Sequence, residues 1–148
     1  MASAPASPDG VDPVTGVERL LDAADDGRID AMCERLGVRL LGVFGSAARA
    51  HRGLPTAVPP RDLDVAVSFA GPPRLLDLVD ALSALTGSDA VDVAVIDGAD
   101  PVLRAEALVG LPLYEATDGH YAVTQMAALA ERRDTAHLRR LDLDALTR

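Results

Sequence analysis

The sequence predicts an α/β (α+β) domain, a small mixed β-sheet flanked by helices. Three observations point there. Apolar residues spaced three and four apart mark helices, and between them lie short apolar runs of strand length. Glycine or proline punctuates most of the junctions. The resulting order is helix, strand, helix, strand, helix, strand, helix, strand, helix, and such alternation needs a sheet whose faces are covered by helices.

Residues 1–13 mix Pro5, Pro8, Gly10 and Pro13 with small polar residues and read as a disordered arm, leaving 14–148 as one domain that includes the C-terminal helices. From Val14 to about Leu36, Val17, Leu20, Leu21 and Ala24 share a helical face, which Ile29, Met32, Cys33 and Leu36 continue after a break at Asp26-Gly27. Gly37 ends that helix, and Val38–Phe44 is a first strand. Ser46 is placed to cap a helix starting at Ala47. Arg52 to Arg61, with Gly53, Pro55, Pro59 and Pro60, reads as a loop. Leu63–Phe69 alternates at period two, a second strand. Gly71-Pro72-Pro73 opens a helix that ends at Gly87, and Val91–Ile96 is a third strand. Pro101 suits the first turn of a short helix to Leu108. Leu111–Glu115 is extended, and residues 120 to 146 are helical with a break expected near Asp134.

A chain of 148 residues is sized for one domain and can bury roughly 68–70% of its unfolded surface without a disulfide or metal. The single cysteine, Cys33, forms no intrachain disulfide and suits a reducing compartment. The first eight residues lack the basic and apolar regions of a secretory signal, and no apolar run approaches the roughly 18 residues of a membrane span. The expected location is therefore cytoplasmic, away from membranes. A formal charge of −9 disfavours broad nucleic-acid binding and suits divalent cations or a basic protein partner. All fourteen basic residues are arginine, so lysine chemistry, including a P-loop clamp or a Schiff base, is excluded.

Asp62 and Asp64 stand on one face of the second strand, with Leu63, Val65 and Val67 on the other. Adjacent carboxylates repel unless a cation lies between them, and hard oxygen ligands suit Mg²⁺. Taken alone, the pair is better explained as a solvated strand face. Asp92 interrupts the apolar strand Val91–Val95. If these strands are neighbours, their valines pack together and Asp92 projects beside Asp62 and Asp64, giving a site for two metal ions of the kind used in phosphoryl displacement. Otherwise Asp92 is a strand-end acid after the turn at Ser88-Asp89. Gly45-Ser46, between strand and helix, can bring backbone N–H groups and a hydroxyl to an anion, or be a plain helix cap. Arg49, one turn on, extends toward the same phosphates or toward solvent. Elsewhere, His51, His120 and His137 are too scattered for zinc, and Cys33 has no paired ligand. With only two tyrosines and two phenylalanines in the chain, Tyr114 and Tyr121 read as packing residues.

Together, G-S-x-x-R, a loop, D-x-D and a lone acid on the next strand resemble the DNA polymerase β-like nucleotidyltransferases. Length and architecture are most similar to the minimal nucleotidyltransferase (MNT) branch, over about Val38 to Glu115 and, less specifically, the C-terminal helices. The resemblance implies that Gly45 and Ser46, with Arg49 nearby, hold a nucleoside triphosphate. Asp62 and Asp64 would ligate two Mg²⁺ ions (Mn²⁺ as an alternative), and Asp92 would complete the catalytic ion. It implies transfer of AMP from ATP to a hydroxyl. It also implies an antitoxin role against a HEPN ribonuclease toxin, with a toxin tyrosine as acceptor. Ala50 and Arg61 depart from the family's usual glycine and serine, and the fifteen residues Ala47–Arg61 are longer than usual. Such surplus is cheap in a loop. Two alternatives stay open: a non-catalytic antitoxin that masks the toxin by contact, and a nucleotidyltransferase acting on a small molecule such as an antibiotic.

Overall fold

The computed structural model describes residues 10–146, without side-chain placements for 137–139, 141–144 and 146. Residues 1–9 of the expected arm lie outside the described residues. The elements are α1 (Pro13–Asp25), α2 (Arg28–Leu36), β1 (Val38–Phe44), α3 (Gly45–His51), β2 (Leu63–Phe69), α4 (Leu75–Thr86), β3 (Val91–Val95), α5 (Pro101–Leu108), β4 (Leu111–Glu115) and α6 (His120–Leu146).

Most boundaries fall where local chemistry places them. Pro13 occupies the first turn of α1, where its missing N–H costs no helical bond. Asp100 caps α5, its Oδ1 accepting from the Val102 and Leu103 amides at 3.0 Å each. Two expectations are corrected. Helix α3 begins at Gly45 rather than Ala47, so Phe44 is at the cap position and Ser46 lies inside the first turn with no cap hydrogen bond from its side chain. Helix α6 runs through Asp134 without a break, because nothing there removes a backbone donor or forces a positive φ.

The four strands lie in the order β3-β2-β1-β4. β1 is antiparallel to both β2 and β4, while β2 and β3 are parallel, joined through α4 as a parallel crossover requires. One face of the sheet carries Val43, Leu63, Val65 and Val67 against α1–α4, with Val17, Leu20, Ile29 and Leu82 fully buried. Val91, Val93 and Val95 join this face, as strand alternation requires once β3 neighbours β2. Truncating any of the buried leucines to alanine would cost about 2–5 kcal/mol. The other face packs Leu40, Ala66 and Ile96 beneath α5 and α6 through Ala105, Leu108, Tyr121 and Ala128. Leu63 and Val65 bury one face of β2, so Asp64 between them must stand on the other. Among the described residues, no helix is long and apolar enough to cross a membrane.

Candidate active site

The carboxylates gather where β1 ends and β2 and β3 begin. Asp62 sits at the bend just before β2, and Asp64 is the second residue of that strand. The parallel register sets Asp64 directly opposite Asp92, and the antiparallel register sets Phe44 on its other side. Asp62 and Asp92 are exposed and Asp64 is half-buried. Burial, then the charge of Asp92, then that of Asp62, push the Asp64 carboxyl up to about 6. Among the described residues none of the three forms an ion pair with an arginine.

Three acids sharing uncompensated charge are the donor set a hard divalent cation prefers. Among the described residues no three Asp, Glu, His or Cys side chains stand close enough to enclose an ion as they are. Asp62 and Asp92 are exposed, and the charges of both raise the Asp64 carboxyl, so the three share one region of negative charge. The three carboxylates suit such an ion in donor chemistry, and their side chains as placed do not enclose one.

Gly45 adjoins Asp64 from the end of β1. Its φ of 75° lies in the left-handed region, and a Cβ there would run into the Asp64 carboxylate. Glycine thus lets the turn into α3 close directly over the acid. Ser46 is partly exposed in the first turn of α3. Arg49 is not free to extend: its Nε and Nη2 both donate to the Pro55 carbonyl, at 3.2 and 3.0 Å, bracing the proline-rich loop.

A cleft of about 520 Å³ opens over this corner, lined by Phe44, Gly45, Arg49 and Asp64. Ser46, Asp62 and Asp92 adjoin it in sequence or register but are not in its lining. Its other walls include Arg52, Leu54, Glu106, Val109 and Arg132, none of them singled out by sequence reasoning. Arg52 closely follows the G-S-x-x-R segment and could have been suspected. Glu106 and Arg132 arrive through the packing of α5 and α6, for which the sequence carries no local signal. A larger cleft, about 650 Å³, runs along β4 between α2 and α6, and contains none of the three aspartates.

No family model matches the sequence, and no curated protein matches it. Solved structures do. A mutant of the MntA-HpeT toxin-antitoxin is similar with a TM-score of 0.60 and 19% identity, over 83% of this chain and 98% of that one. A toxin-antitoxin structure with AMP-PNP is similar with a TM-score of 0.60 and 18% identity, over 84% and 99%. The structure of a tri-AMPylated Shewanella oneidensis HEPN toxin in complex with MNT antitoxin gives 0.58 and 17% identity, over 86% and 99%. Agreement across nearly the whole of those chains gives this protein the fold they share, that of the MNT antitoxin structures.

Proposed function

We propose that the chain is a Mg²⁺-dependent nucleotidyltransferase that moves AMP from ATP to a hydroxyl, and that the acceptor is a tyrosine of a HEPN toxin for which it is the MNT-type antitoxin. The observation that carries this is the direct opposition of Asp64 and Asp92 across β2 and β3, with Asp62 beside them and Gly45 closed over Asp64. The partner and the transferred group are supported by similarity to a tri-AMPylated HEPN toxin complex and to a toxin-antitoxin structure with AMP-PNP.

Gly45 brings the first turn of α3 to the acids, so that its backbone N–H groups and the Ser46 hydroxyl can take phosphate oxygens. Asp62, Asp64 and Asp92 would hold Mg²⁺, which when bound supplies charge neutralisation on the phosphates and on the attacking oxygen. The acceptor oxygen forms its bond to the α-phosphorus as the bond to the bridging oxygen breaks, pyrophosphate leaves, and the hydroxyl proton passes to solvent or a carboxylate. Asp92, exposed on an edge strand, is the carboxylate that a hydroxyl on another protein can approach. Asp64, half-buried beneath Gly45 and lining the cleft, suits the nucleotide side.

Co-expression with a HEPN protein encoded beside it tests the assignment. The expected result is a complex in which a partner tyrosine gains one or more AMP units. A stable complex whose mass is unchanged under ATP and Mg²⁺ would identify a masking antitoxin instead.

A further inference from the structure

The cleft over Asp64 gathers guanidinium groups beside the three aspartates of this corner. Its lining holds three guanidinium groups, Arg49, Arg52 and Arg132, against the two carboxylates of Asp64 and Glu106, in a protein of formal charge −9. Arg49 is committed to the Pro55 carbonyl. Arg52 and Arg132 are exposed and, among the described residues, make no ion pair. They come from different walls, Arg52 from the end of α3 and Arg132 from α6. The placement of Arg132 follows from the packing of α6 on α5 and from its neighbour in sequence. Glu131 Oε2 accepts from Arg104 Nη1 at 2.9 Å, while Arg104 also donates to the carbonyls of Ile96 and Ala99 beyond the end of β3. With Tyr121 and Ala128 buried against α5, this pair braces the face of α6 that presents the next residue to the cleft.

From this geometry we infer that Arg52 and Arg132 form the polyphosphate subsite of the cleft, gripping the two phosphates that leave as pyrophosphate. The inference rests on the nucleotidyltransferase assignment and adds to it residues on α6 and at the end of α3, outside the acid and Gly45-Ser46 motifs. Guanidinium groups match phosphate oxygens in a two-pronged geometry and strengthen as negative charge develops on a leaving group. The acids of the site serve the reacting end of the nucleotide, and with no lysine in the chain the far end falls to arginine. Arg104 and Glu131 are positioning residues, acting through Arg132.

Binding measurements with two nucleotides test this. Arg52→Ala and Arg132→Ala should each weaken Mg²⁺–ATP binding about tenfold, and Mg²⁺–AMP binding by less than about twofold, since AMP lacks the gripped phosphates. Arg132→Lys should recover part of the loss, and Arg104→Gln should reproduce a milder Arg132→Ala. Inorganic tripolyphosphate titrated in EDTA should bind the wild type and fail to bind the double alanine variant. An ATP-to-AMP affinity ratio left at its wild-type value by the double variant would overturn the subsite. So would lost transfer with intact ATP affinity, which would assign the arginines to the acceptor. Wild-type protein that binds tripolyphosphate through these arginines but does not bind ATP would keep the subsite and overturn the nucleotidyltransferase assignment.

Discussion

The carboxylate of Asp64 rests against the Cα of Gly45, in the space that any side chain at position 45 would fill. With φ at 75°, Gly45→Ala adds a left-handed alanine, about 1 kcal/mol, to the displacement of Asp64. The variant should melt a few degrees lower and bind Mg²⁺–ATP at least tenfold more weakly. Ser46→Ala, which removes only a hydroxyl that caps nothing, should leave the melting temperature unchanged. Calorimetry and isothermal titration separate the two. Equal behaviour of the two variants would mean that the close approach of Gly45 to Asp64 does not matter.

Asp64 makes the site costly to fold. Its carboxyl is raised from an ordinary 3.8 to about 6, so the folded chain binds this proton more tightly than the unfolded chain does. Stability from this group is greatest below about pH 4, falls as pH rises through 6, and stays low above it. In EDTA at pH 8, Asp64→Asn should therefore be more stable than wild type. The gain is about 1 kcal/mol, because solvent screening of a half-exposed carboxyl trims the full effect. At pH 4 the difference should vanish. Adding Mg²⁺ and ATP should reverse the order at pH 8 by stabilising only the wild type. A variant less stable than wild type in EDTA at pH 8 would contradict this charge arrangement.

Asp92 separates binding from transfer. It is exposed and is proposed to serve the acceptor, so Asp92→Asn should keep Mg²⁺–ATP affinity within a few-fold of wild type. Transfer to the partner tyrosine should fall by about 10²–10⁴-fold, roughly 3–5 kcal/mol of barrier. Asp62→Asn, by contrast, should weaken both. Labelled-ATP transfer alongside titration reads the two quantities, and unchanged transfer by Asp92→Asn would remove that residue from the site.

Tyr121 offers a control away from the chemistry. Among the described residues its hydroxyl is buried without a hydrogen-bond partner; it lies against the Cα of Gly42, and burial pushes its pKa up to about 12. Tyr121→Phe should leave transfer unchanged and stabilise the fold by about 1 kcal/mol, by removing an unsatisfied polar atom. Gly42→Ala should be strongly destabilising alone and less so in the Tyr121→Phe background. Urea unfolding of the four proteins closes this cycle, and simple additivity would show that the ring and the glycine are not in contact.

The fold was legible wherever its signals were local. The alternation of Leu63–Phe69 and the Val91–Val95 run mark the strands, and the placement of the valines then requires Asp64 and Asp92 to share a face. The start of α3 was misplaced because Ser46 is a good cap in isolation, whereas the left-handed Gly45 lets the helix begin two residues earlier. Asp134 does not interrupt α6, since a polar residue alone does not end a helix. Arg132 could not have been found, because the packing of α6 against α5, braced by the Arg104–Glu131 ion pair between residues 27 apart, carries it to the cleft. The role of Arg49 in bracing Pro55 was hidden for a similar reason, the path of an irregular loop.

β3 is an outer strand of the sheet, and Asp92 stands exposed on it. A charge there also keeps the strand from pairing edge to edge with another copy, so it protects solubility whether or not any chemistry takes place. Asp64 gives no such benefit and makes the metal-free protein harder to fold. If transfer ceased to be under selection, drift would remove the carboxylate at 64 first and retain the one at 92. For a chain with this architecture, the half-buried acid is accordingly the more telling mark of a working enzyme, and the exposed one the weaker.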